Sequence, residues 1–209
     1  MKQIFKEDIL YCFTPGPFKR DRDPIEMVEA QLRGGADVIQ LREKEMSKRE
    51  KIDFGIRVRD LVKRYNRLFI VNDDLDIALI LDADGLHLGQ EDIPISYARK
   101  WFKKIIGIST HSIPQAEEAI RAGADYIGIG PISSTSTKEN PDPLVGLDIL
   151  RELNRLSTIP FVAIGGITED NLSDIIDTGC RRVAIISDIL TASDIELKTK
   201  RIKQILKSK

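Results

Sequence analysis

The sequence predicts an α/β fold, a single (β/α)8 TIM-barrel domain over residues 1–209. Eight short apolar runs alternate along the chain with stretches of helical periodicity, and this alternation is typical of a parallel sheet with crossover helices. The runs are rich in Ile and Val at odd and even positions alike, as strands buried on both faces should be. The predicted strands are residues 9–14, 38–42, 68–72, 85–88, 105–110, 126–130, 161–165 and 183–187.

The stretches between the runs have the period of amphipathic helices. After the second strand, Phe54, Val58 and Leu61 fall on one helical face, with charged residues on the other. Several of these stretches end at a glycine that precedes the next strand, including Gly123 and Gly179. A glycine at this position is typical of a left-handed helix cap.

The length of the chain favours a barrel over the alternative, an open doubly wound sheet. Eight units in 209 residues leave about 26 residues per unit, which is near the lower size limit of a (β/α)8 barrel. A doubly wound dinucleotide-binding sheet would carry a G-x-G-x-x-G turn after its first strand, and this sequence has none there.

Composition excludes several classes of function. The 32 basic and 33 acidic residues leave no basic excess, so we expect no nucleic-acid partner. No apolar run approaches the roughly 18 residues of a membrane span, and the first residues lack the pattern of a signal peptide, so we expect a soluble, cytoplasmic protein without a membrane partner. Cys12 and Cys180 lie in or beside apolar runs and are expected to be buried and reduced. The sequence does not decide whether the chain forms a homo-oligomer.

Polar residues follow seven of the eight predicted strands, where the active site of such a barrel forms. Gly165 and Gly166 end the seventh strand before a helix for which Thr168 is the predicted N-cap, and Ile186 and Ser187 end the eighth. Barrels often build a phosphate site from these two loops and a helix N-terminus. A tight turn that needs glycine for positive φ is the alternative explanation.

A pair of carboxylates follows the adjacent third and fourth strands. Asp73 and Asp92 can converge on one point there, and Mg²⁺ commonly binds one or two carboxylates with water and substrate phosphates. The sequence therefore predicts a magnesium site. The alternative is that both are solvated loop acids, or that Asp73 caps the helix that follows it.

Cations from two loops complete the predicted site. Arg42, Lys44 and Lys138 can surround a diphosphate, since Arg binds phosphate oxygens as a fork and Lys as a point charge. Asn72 and Ser109 add neutral donors. The alternative for each of these residues, taken alone, is a solvent-exposed position on a charged surface that binds no ligand.

The loop after the sixth strand, residues 131–145, is long and poor in apolar residues. Loops of this length in a compact domain are often lids. Thr135, Thr137 and Lys138 lie on it, so closing the lid would bring a positive charge over bound phosphates and expel water.

The sequence as a whole resembles the thiamine-phosphate synthase family over nearly its full length. The segments that carry the resemblance are residues 40–44 (QLREK), 71–74 (VNDD), 83–92 (ADGLHLGQED), 106–111 (IGISTH), 123–131 (GADYIGIGP), 135–138 (TSTK) and 163–167 (AIGGI). Singly, several are weak signals; in this order, at consecutive strand ends, they are specific.

The resemblance implies a Mg²⁺-dependent transferase. It would condense 4-amino-2-methyl-5-hydroxymethylpyrimidine diphosphate with 4-methyl-5-(2-hydroxyethyl)thiazole phosphate, giving thiamine phosphate and diphosphate. Diphosphate would leave first, and the thiazole nitrogen would capture the resulting pyrimidine-methyl cation. Such a step requires charge stabilisation of the leaving group more than a general base.

The resemblance also implies a role for each matching residue. The metal ligands would be Asp73 and Asp92. The diphosphate contacts would be Arg42, Lys44, Asn72, Ser109 and Lys138, of which Arg42, Lys44, Ser109 and Lys138 are the predicted catalytic residues. Gln40 and His87 would lie by the pyrimidine. The thiazole phosphate would bind Thr135, Thr137, Gly166, Ile186 and Ser187.

One departure from the family pattern concerns the lid. Family members often carry an aromatic residue and a proline where Ser133 and Ser134 stand here, so we expect the lid to pack differently. Three other functions are alternatives: a thiazole tautomerase, a non-catalytic barrel that binds a phosphorylated metabolite, and a phosphate-binding isomerase. The tautomerase branch typically lacks the full metal and lid set, and an isomerase would need an acid/base pair that the sequence does not show.

Overall fold

The computed structural model describes residues 5, 8–134 and 143–208, which form a closed barrel of eight parallel strands in the order β1 to β8. The barrel closes where β1 pairs with β8, so the open doubly wound sheet is excluded. The strands are β1 Ile9–Phe13, β2 Val38–Leu41, β3 Leu68–Asn72, β4 Gly85–Leu88, β5 Ile105–Thr110, β6 Tyr126–Ile129, β7 Phe161–Ile164 and β8 Arg182–Ala184.

Helices follow the strands and cover the outside of the barrel. They are α1 Pro24–Arg33, α2 Lys48–Arg64, α3 Leu75–Ile80, α4 Ile95–Trp101, α5 Ile113–Arg121, α6 Asp148–Leu156, α7 Leu172–Ile176, α8 Ser187–Leu190 and α9 Ile195–Ser208. A short 3-10 turn, Gly16–Phe18, follows β1. Among the helices of the described ranges, none combines the length and the hydropathy that a membrane crossing requires.

Two local predictions near the end of the chain were wrong. The predicted eighth strand reached Ser187, but β8 ends at Ala184, because Ile186 leaves the extended region (φ −110°, ψ −82°) and Ser187 begins α8. Thr168 is not a helix N-cap, since α7 begins at Leu172 with Asn171 at its N-cap. The Asn171 side chain instead accepts a hydrogen bond from the Thr168 N–H at 2.9 Å.

Alternate side chains of seven of the eight strands enter two separate hydrophobic cores, and β4 contributes only to the outer one. Along β1, Ile9, Tyr11 and Phe13 point into the barrel, whereas Leu10 and Cys12 pack against the surrounding helices. This is why the strands are apolar at both odd and even positions. The interior core contains Phe5, Ile9, Tyr11, Phe13, Val38, Ile70, Ile105, Tyr126, Val162 and Ala184. Cys12 and Cys180 are free, buried thiols, as predicted.

Three aspartates tie the amino-terminal rim of the barrel together. Asp37, Asp84 and Asp125 each stand directly before an even-numbered strand. Each carboxylate accepts a hydrogen bond of 2.9 Å from a backbone N–H of the preceding strand, on Leu10, Phe69 and Ile106 respectively. The predicted glycine caps Gly123 and Gly179 lie beside this rim with φ of 89° each, and Gly35 before β2 has φ of 100°. These stabilising contacts are at the amino-terminal end of the barrel, whereas the predicted site residues are near the carboxyl-terminal ends of the strands.

The start of α2 is set by a capping box. The Ser47 hydroxyl oxygen accepts a hydrogen bond from the Glu50 N–H at 3.3 Å, and the Glu50 carboxylate accepts one from the Ser47 N–H at 2.8 Å. Two backbone donors that would otherwise lack partners in the first turn are satisfied. The cap thereby also ends the loop that carries Lys44.

Replacing Ser47 by Ala should lower the free energy of unfolding by about 1 kcal/mol, because the first turn of α2 loses its side-chain acceptor. Urea denaturation measures this change. Ser173→Ala is the matched control, since Ser173 is an exposed serine near the start of α7, and it should change the free energy by less than about 0.5 kcal/mol. Equal effects of the two substitutions would contradict the assigned role of the cap.

Candidate active site

A cavity of about 610 Å³ opens at the carboxyl-terminal rim of the barrel. It brings together eleven of the predicted site residues: Gln40, Arg42, Lys44, Asn72, Asp73, His87, Asp92, Ser109, Gly166, Ile186 and Ser187. The other three, Thr135, Thr137 and Lys138, lie outside the described residues. Loops from β2, β3, β4, β5, β7 and β8 therefore meet around one space, as the barrel topology predicted.

The two predicted metal ligands, Asp73 and Asp92, lie side by side on this rim. The Asp73 N–H donates to the His87 carbonyl oxygen at 2.8 Å, which fixes the end of β3 against β4. The Asp92 carboxylate accepts from the Gly89 N–H at 2.6 Å, which holds the loop after β4 in a tight turn. Asp74 occupies the N-cap position of α3, so helix capping does not account for Asp73.

Burial raises the pKa of the Asp73 carboxyl to about 7, and the hydrogen bond and negative charge of Asp92 act in the same direction. Lys44 and Arg42 lower that pKa, but they do not offset the burial. The pair therefore carries a negative charge that the protein alone compensates incompletely. A cation near both carboxylates would relieve it.

The donor set around Asp73 and Asp92 fits a hard divalent cation. In the part of the chain that the structure describes, no group of three or more His, Cys, Asp or Glu side chains could hold a metal ion. A cation bound here would therefore take its other ligands from water and from substrate oxygens. Mg²⁺ is usually bound in this way, through one or two carboxylates, whereas a structural Zn²⁺ site would require four protein ligands.

A buried carboxylate, Glu43, stands between the two cations Arg42 and Lys44 that follow β2. Glu43 points away from the solvent and accepts a hydrogen bond from the Gly16 N–H at 3.1 Å. The Arg42 N–H donates to the Thr14 hydroxyl at 2.9 Å. Burial lowers the pKa of the Arg42 guanidinium, and the carboxylates of Asp73 and Glu43 raise it. A guanidinium stays protonated in proteins, so Arg42 and the exposed Lys44 supply two positive charges to the cavity.

A chain of polar side chains, here called the floor network, crosses the bottom of the cavity. It consists of Gln40, Tyr11, Tyr126, His87 and Ser109. The Gln40 Nε2 donates to the Tyr11 hydroxyl at 2.8 Å, and the two tyrosine hydroxyls lie 3.1 Å apart. The His87 ring lies 2.8 Å from the Tyr126 hydroxyl through Nδ1 and 2.9 Å from the Ser109 hydroxyl through Nε2. Burial lowers the pKa of His87 to about 4, so the ring is neutral at pH 7.

The two tyrosines of this network were missed by reasoning from strand ends. Tyr11 lies in the middle of β1 and Tyr126 at the start of β6, away from the strand ends where the sequence predicts the site. The usable signal was chemical, because a buried tyrosine hydroxyl needs a hydrogen-bond partner and a strand interior lined with Ile and Val offers none. Phe13 of β1 also lines the cavity, so the first strand contributes to the site after all.

The loop after β7 has the left-handed backbone that its glycines predicted. Gly165 and Gly166 adopt φ of 93° and 66°. A Cβ on Gly166 would collide with the carbonyl oxygens of Ser133 and Ser134, so the glycine is required for close approach as well as for its φ. The Ser133 N–H donates to the Gly165 carbonyl oxygen at 3.0 Å. The two serines that depart from the family pattern thus pack directly against this loop.

Comparison with known proteins agrees with this geometry. A family model described as thiamine monophosphate synthase matches residues 10–189. The chain is 42% identical over 207 residues to a thiamine-phosphate synthase of Caldicellulosiruptor saccharolyticus, covering 98% of this chain and 94% of that protein. It is 43% identical over 206 residues to the corresponding protein of Dictyoglomus turgidum, covering 98% and 92%.

A solved structure extends the similarity to three dimensions. Thiamine phosphate pyrophosphorylase from Pyrococcus furiosus superposes with a TM-score of 0.88 at 37% identity, covering 99% of this chain and 97% of that one. A 3-hexulose-6-phosphate synthase, at 16% identity and a TM-score of 0.66, shares the fold alone. The extent of these matches and the residues gathered in the cavity lead to one conclusion: the chain belongs to the thiamine-phosphate synthase family.

Proposed function

We propose that the cavity at the carboxyl-terminal rim is where this chain condenses the pyrimidine diphosphate with the thiazole phosphate. The reaction is that of the family to which the chain belongs. The observation that carries the assignment to this cavity is the meeting of adjacent carboxylates, two cations and a left-handed glycine loop around one space. Together these groups suit two phosphorylated substrates and a divalent cation.

The diphosphate end of the pyrimidine substrate is assigned to Arg42, Lys44, Asn72 and Ser109. All four line the cavity, and the first two bring the positive charge. Lys138 belongs to the same set by the family resemblance, although it lies outside the described residues. An arginine fork with separate lysine charges matches the several oxygens of a diphosphate.

Asp73 and Asp92 are assigned as the ligands of Mg²⁺. The support is their adjacency and the raised pKa of Asp73, which marks a carboxylate pair that a cation would stabilise. When bound, Mg²⁺ would neutralise charge on the diphosphate and so favour its departure. Asp92 also holds the loop after β4 through the Gly89 N–H, and its carboxylate is hydrogen-bonded to Asp73.

The rings and the second phosphate are assigned to the remaining cavity residues. Gln40 and His87 line the floor, where the pyrimidine would lie. Gly166, Ile186 and Ser187 line the opposite side, beside the left-handed glycine loop, where backbone N–H groups could bind the thiazole phosphate. Thr135 and Thr137 would complete that phosphate site from the part of the lid that the structure does not describe.

The mechanism that this arrangement supports is loss of diphosphate, followed by capture of the pyrimidine-methyl cation by the thiazole nitrogen. The bond between the pyrimidine methylene carbon and the diphosphate oxygen breaks, and the electron pair leaves with the diphosphate. The thiazole nitrogen then donates its lone pair to the methylene carbon. Arg42, Lys44 and Ser109 stabilise the charge that develops on the leaving group, and no side chain has to remove a proton from the thiazole nitrogen.

The direct test is an endpoint assay on the purified chain. The protein is mixed with the pyrimidine diphosphate and the thiazole phosphate, with Mg²⁺ or with a chelator, and thiamine phosphate is detected by oxidation to fluorescent thiochrome. We expect product with Mg²⁺ and none with the chelator. Product that does not depend on a divalent cation would contradict the metal assignment, and no product from folded protein would contradict the assigned reaction.

Asp92→Asn should lower kcat by roughly 10²-fold while leaving the fold intact, because it removes charge that would hold the cation at the leaving group. The thiochrome assay measures the rate, and circular dichroism checks the fold. Glu91→Gln is the matched control, since Glu91 is the neighbouring, exposed carboxylate of the same loop, and it should change kcat by no more than about twofold. Similar losses in both variants would mean that the loop needs negative charge in general and not a ligand at Asp92.

Asp73→Asn should flatten the dependence of stability on pH in metal-free buffer. The folded pKa of about 7 lies above the ordinary value of 3.8, so between these values the folded protein holds a proton that the unfolded chain releases. This group therefore lowers stability as the pH rises from about 4 to about 7. Thermal melts across that range should show a smaller fall in Tm for Asp73→Asn than for the unmodified chain. Parallel curves for the two proteins would contradict the raised pKa.

A further inference from the structure

We propose that Tyr11 and Tyr126 are positioning residues that set the direction of the hydrogen bonds in the floor network. In that direction, Ser109 presents its hydroxyl proton to the diphosphate and Gln40 presents its carbonyl oxygen to the amino group of the pyrimidine. This inference rests on the proposed function, which makes Ser109 and Gln40 substrate contacts. Neither tyrosine needs to touch the substrate.

The direction follows from a count of protons that begins at Gln40. The Nε2 of Gln40 can only donate, so the Tyr11 oxygen accepts this bond. In the part of the chain that the structure describes, the hydroxyl of Tyr11 has one other partner, the Tyr126 oxygen at 3.1 Å. Tyr11 therefore donates to Tyr126, and the Tyr126 proton goes to Nδ1 of His87 at 2.8 Å.

The ring of His87 passes this direction to Ser109. An Nδ1 that accepts a hydrogen bond from Tyr126 carries no proton, so the N–H of the ring is on Nε2. That N–H donates to the Ser109 oxygen at 2.9 Å. The proton of Ser109 is then left to point into the cavity, where a diphosphate oxygen would accept it.

The opposite direction leaves a proton without an acceptor. If Ser109 donated to His87, then His87 would donate to Tyr126 and Tyr126 to Tyr11. Tyr11 would accept two bonds, from Gln40 and Tyr126, and its own proton would have no acceptor among the described residues. Tyr11 is only 2% exposed, and a buried donor without a partner is unfavourable.

Packing holds the rings of Tyr126 and His87 in place. Phe5 stacks on Tyr126 with 4.6 Å between ring centroids and 19° between planes. A Cβ on Gly107 would lie 2.6 Å from the Tyr126 hydroxyl oxygen and closer still to the ring carbons, so this glycine makes room for the tyrosine. On the other side, a Cβ on Gly128 would lie 3.3 Å from Cε1 of His87. The hydroxyl of Tyr126 is thus kept opposite Nδ1 of the imidazole.

The tautomer of His87 tests the direction without reference to activity. The chain has two histidines, and His111 places Nδ1 2.6 Å from the Gly130 carbonyl oxygen, which can only accept. Nitrogen-15 NMR should therefore show opposite tautomers, Nδ1–H for His111 and Nε2–H for His87, with the rings assigned through a His111→Asn variant. A proton on Nδ1 of His87 in the unmodified chain would overturn the proposal.

A double-mutant cycle tests whether Tyr126 acts through Ser109. Tyr126→Phe should lower kcat about tenfold in the unmodified chain, the equivalent of one lost hydrogen bond, but less than about twofold in a Ser109→Ala background. Tyr65→Phe is the matched control, since it removes a 3.1 Å hydrogen bond to Glu29 away from the cavity, and kcat should not change.

The outcomes of the cycle separate the two hypotheses. If Tyr126→Phe lowered kcat by the same factor in the unmodified chain and in Ser109→Ala, Tyr126 would not act through Ser109. That result would overturn the positioning role but would not contradict the proposed function. An unchanged kcat in Ser109→Ala would instead remove Ser109 from the diphosphate contacts and with it both hypotheses about that residue. If Tyr126→Phe failed to fold, the tautomer measured in the unmodified chain would still decide the direction.

Discussion

Closure of the eight-stranded sheet is the constraint on which the rest of the structure depends. The strands are only three to six residues long, and such short parallel strands have no exposed edge because each pairs on both sides. Closure makes every strand two-faced, with one set of side chains inside and the other under the helices. It also collects all eight carboxyl ends at one rim. Aspartates stabilise the opposite rim, and most of the charged groups that line the cavity lie at this one.

The described part of the site holds like charges close together, and its electrostatics are unfavourable in the protein alone. Asp73 and Asp92 are held together although burial and their like charge raise the pKa of Asp73. Arg42 is also partly buried, and burial raises the pKa of the neighbouring Glu43 carboxyl. Groups placed in this way need no rearrangement when charge develops on a leaving group. Their mutual compensation is incomplete in the protein alone and would be completed by a cation and a diphosphate.

Much of the fold could be predicted from the sequence, because each strand is a run of Ile and Val and each helix has one apolar face. The predicted end of the eighth strand was wrong. An isoleucine such as Ile186 is compatible with a strand and with the residue before a helix, so periodicity could not locate the boundary. Thr168 was a plausible cap by residue type, but the Asn171 side chain took the local hydrogen bonds. The predicted site residues near the strand ends line one cavity because a barrel brings these strand ends together. Tyr11 and Tyr126 were not predicted, since only the closed barrel shows that two interior hydroxyls meet a histidine.

Tyr126 packs against Phe5 and Gly107, and this packing affects how such an enzyme could acquire a new substrate. Loops at the rim of a barrel can be exchanged with little effect on its interior, and this modularity lets one fold host many reactions. The floor of this cavity is different, because its polar groups are strand residues packed inside the barrel. A change of the ring that is recognised would have to alter the interior packing together with the hydrogen bonds. Loop grafting alone would therefore give a chimaera that binds new phosphates but still selects the old heterocycle.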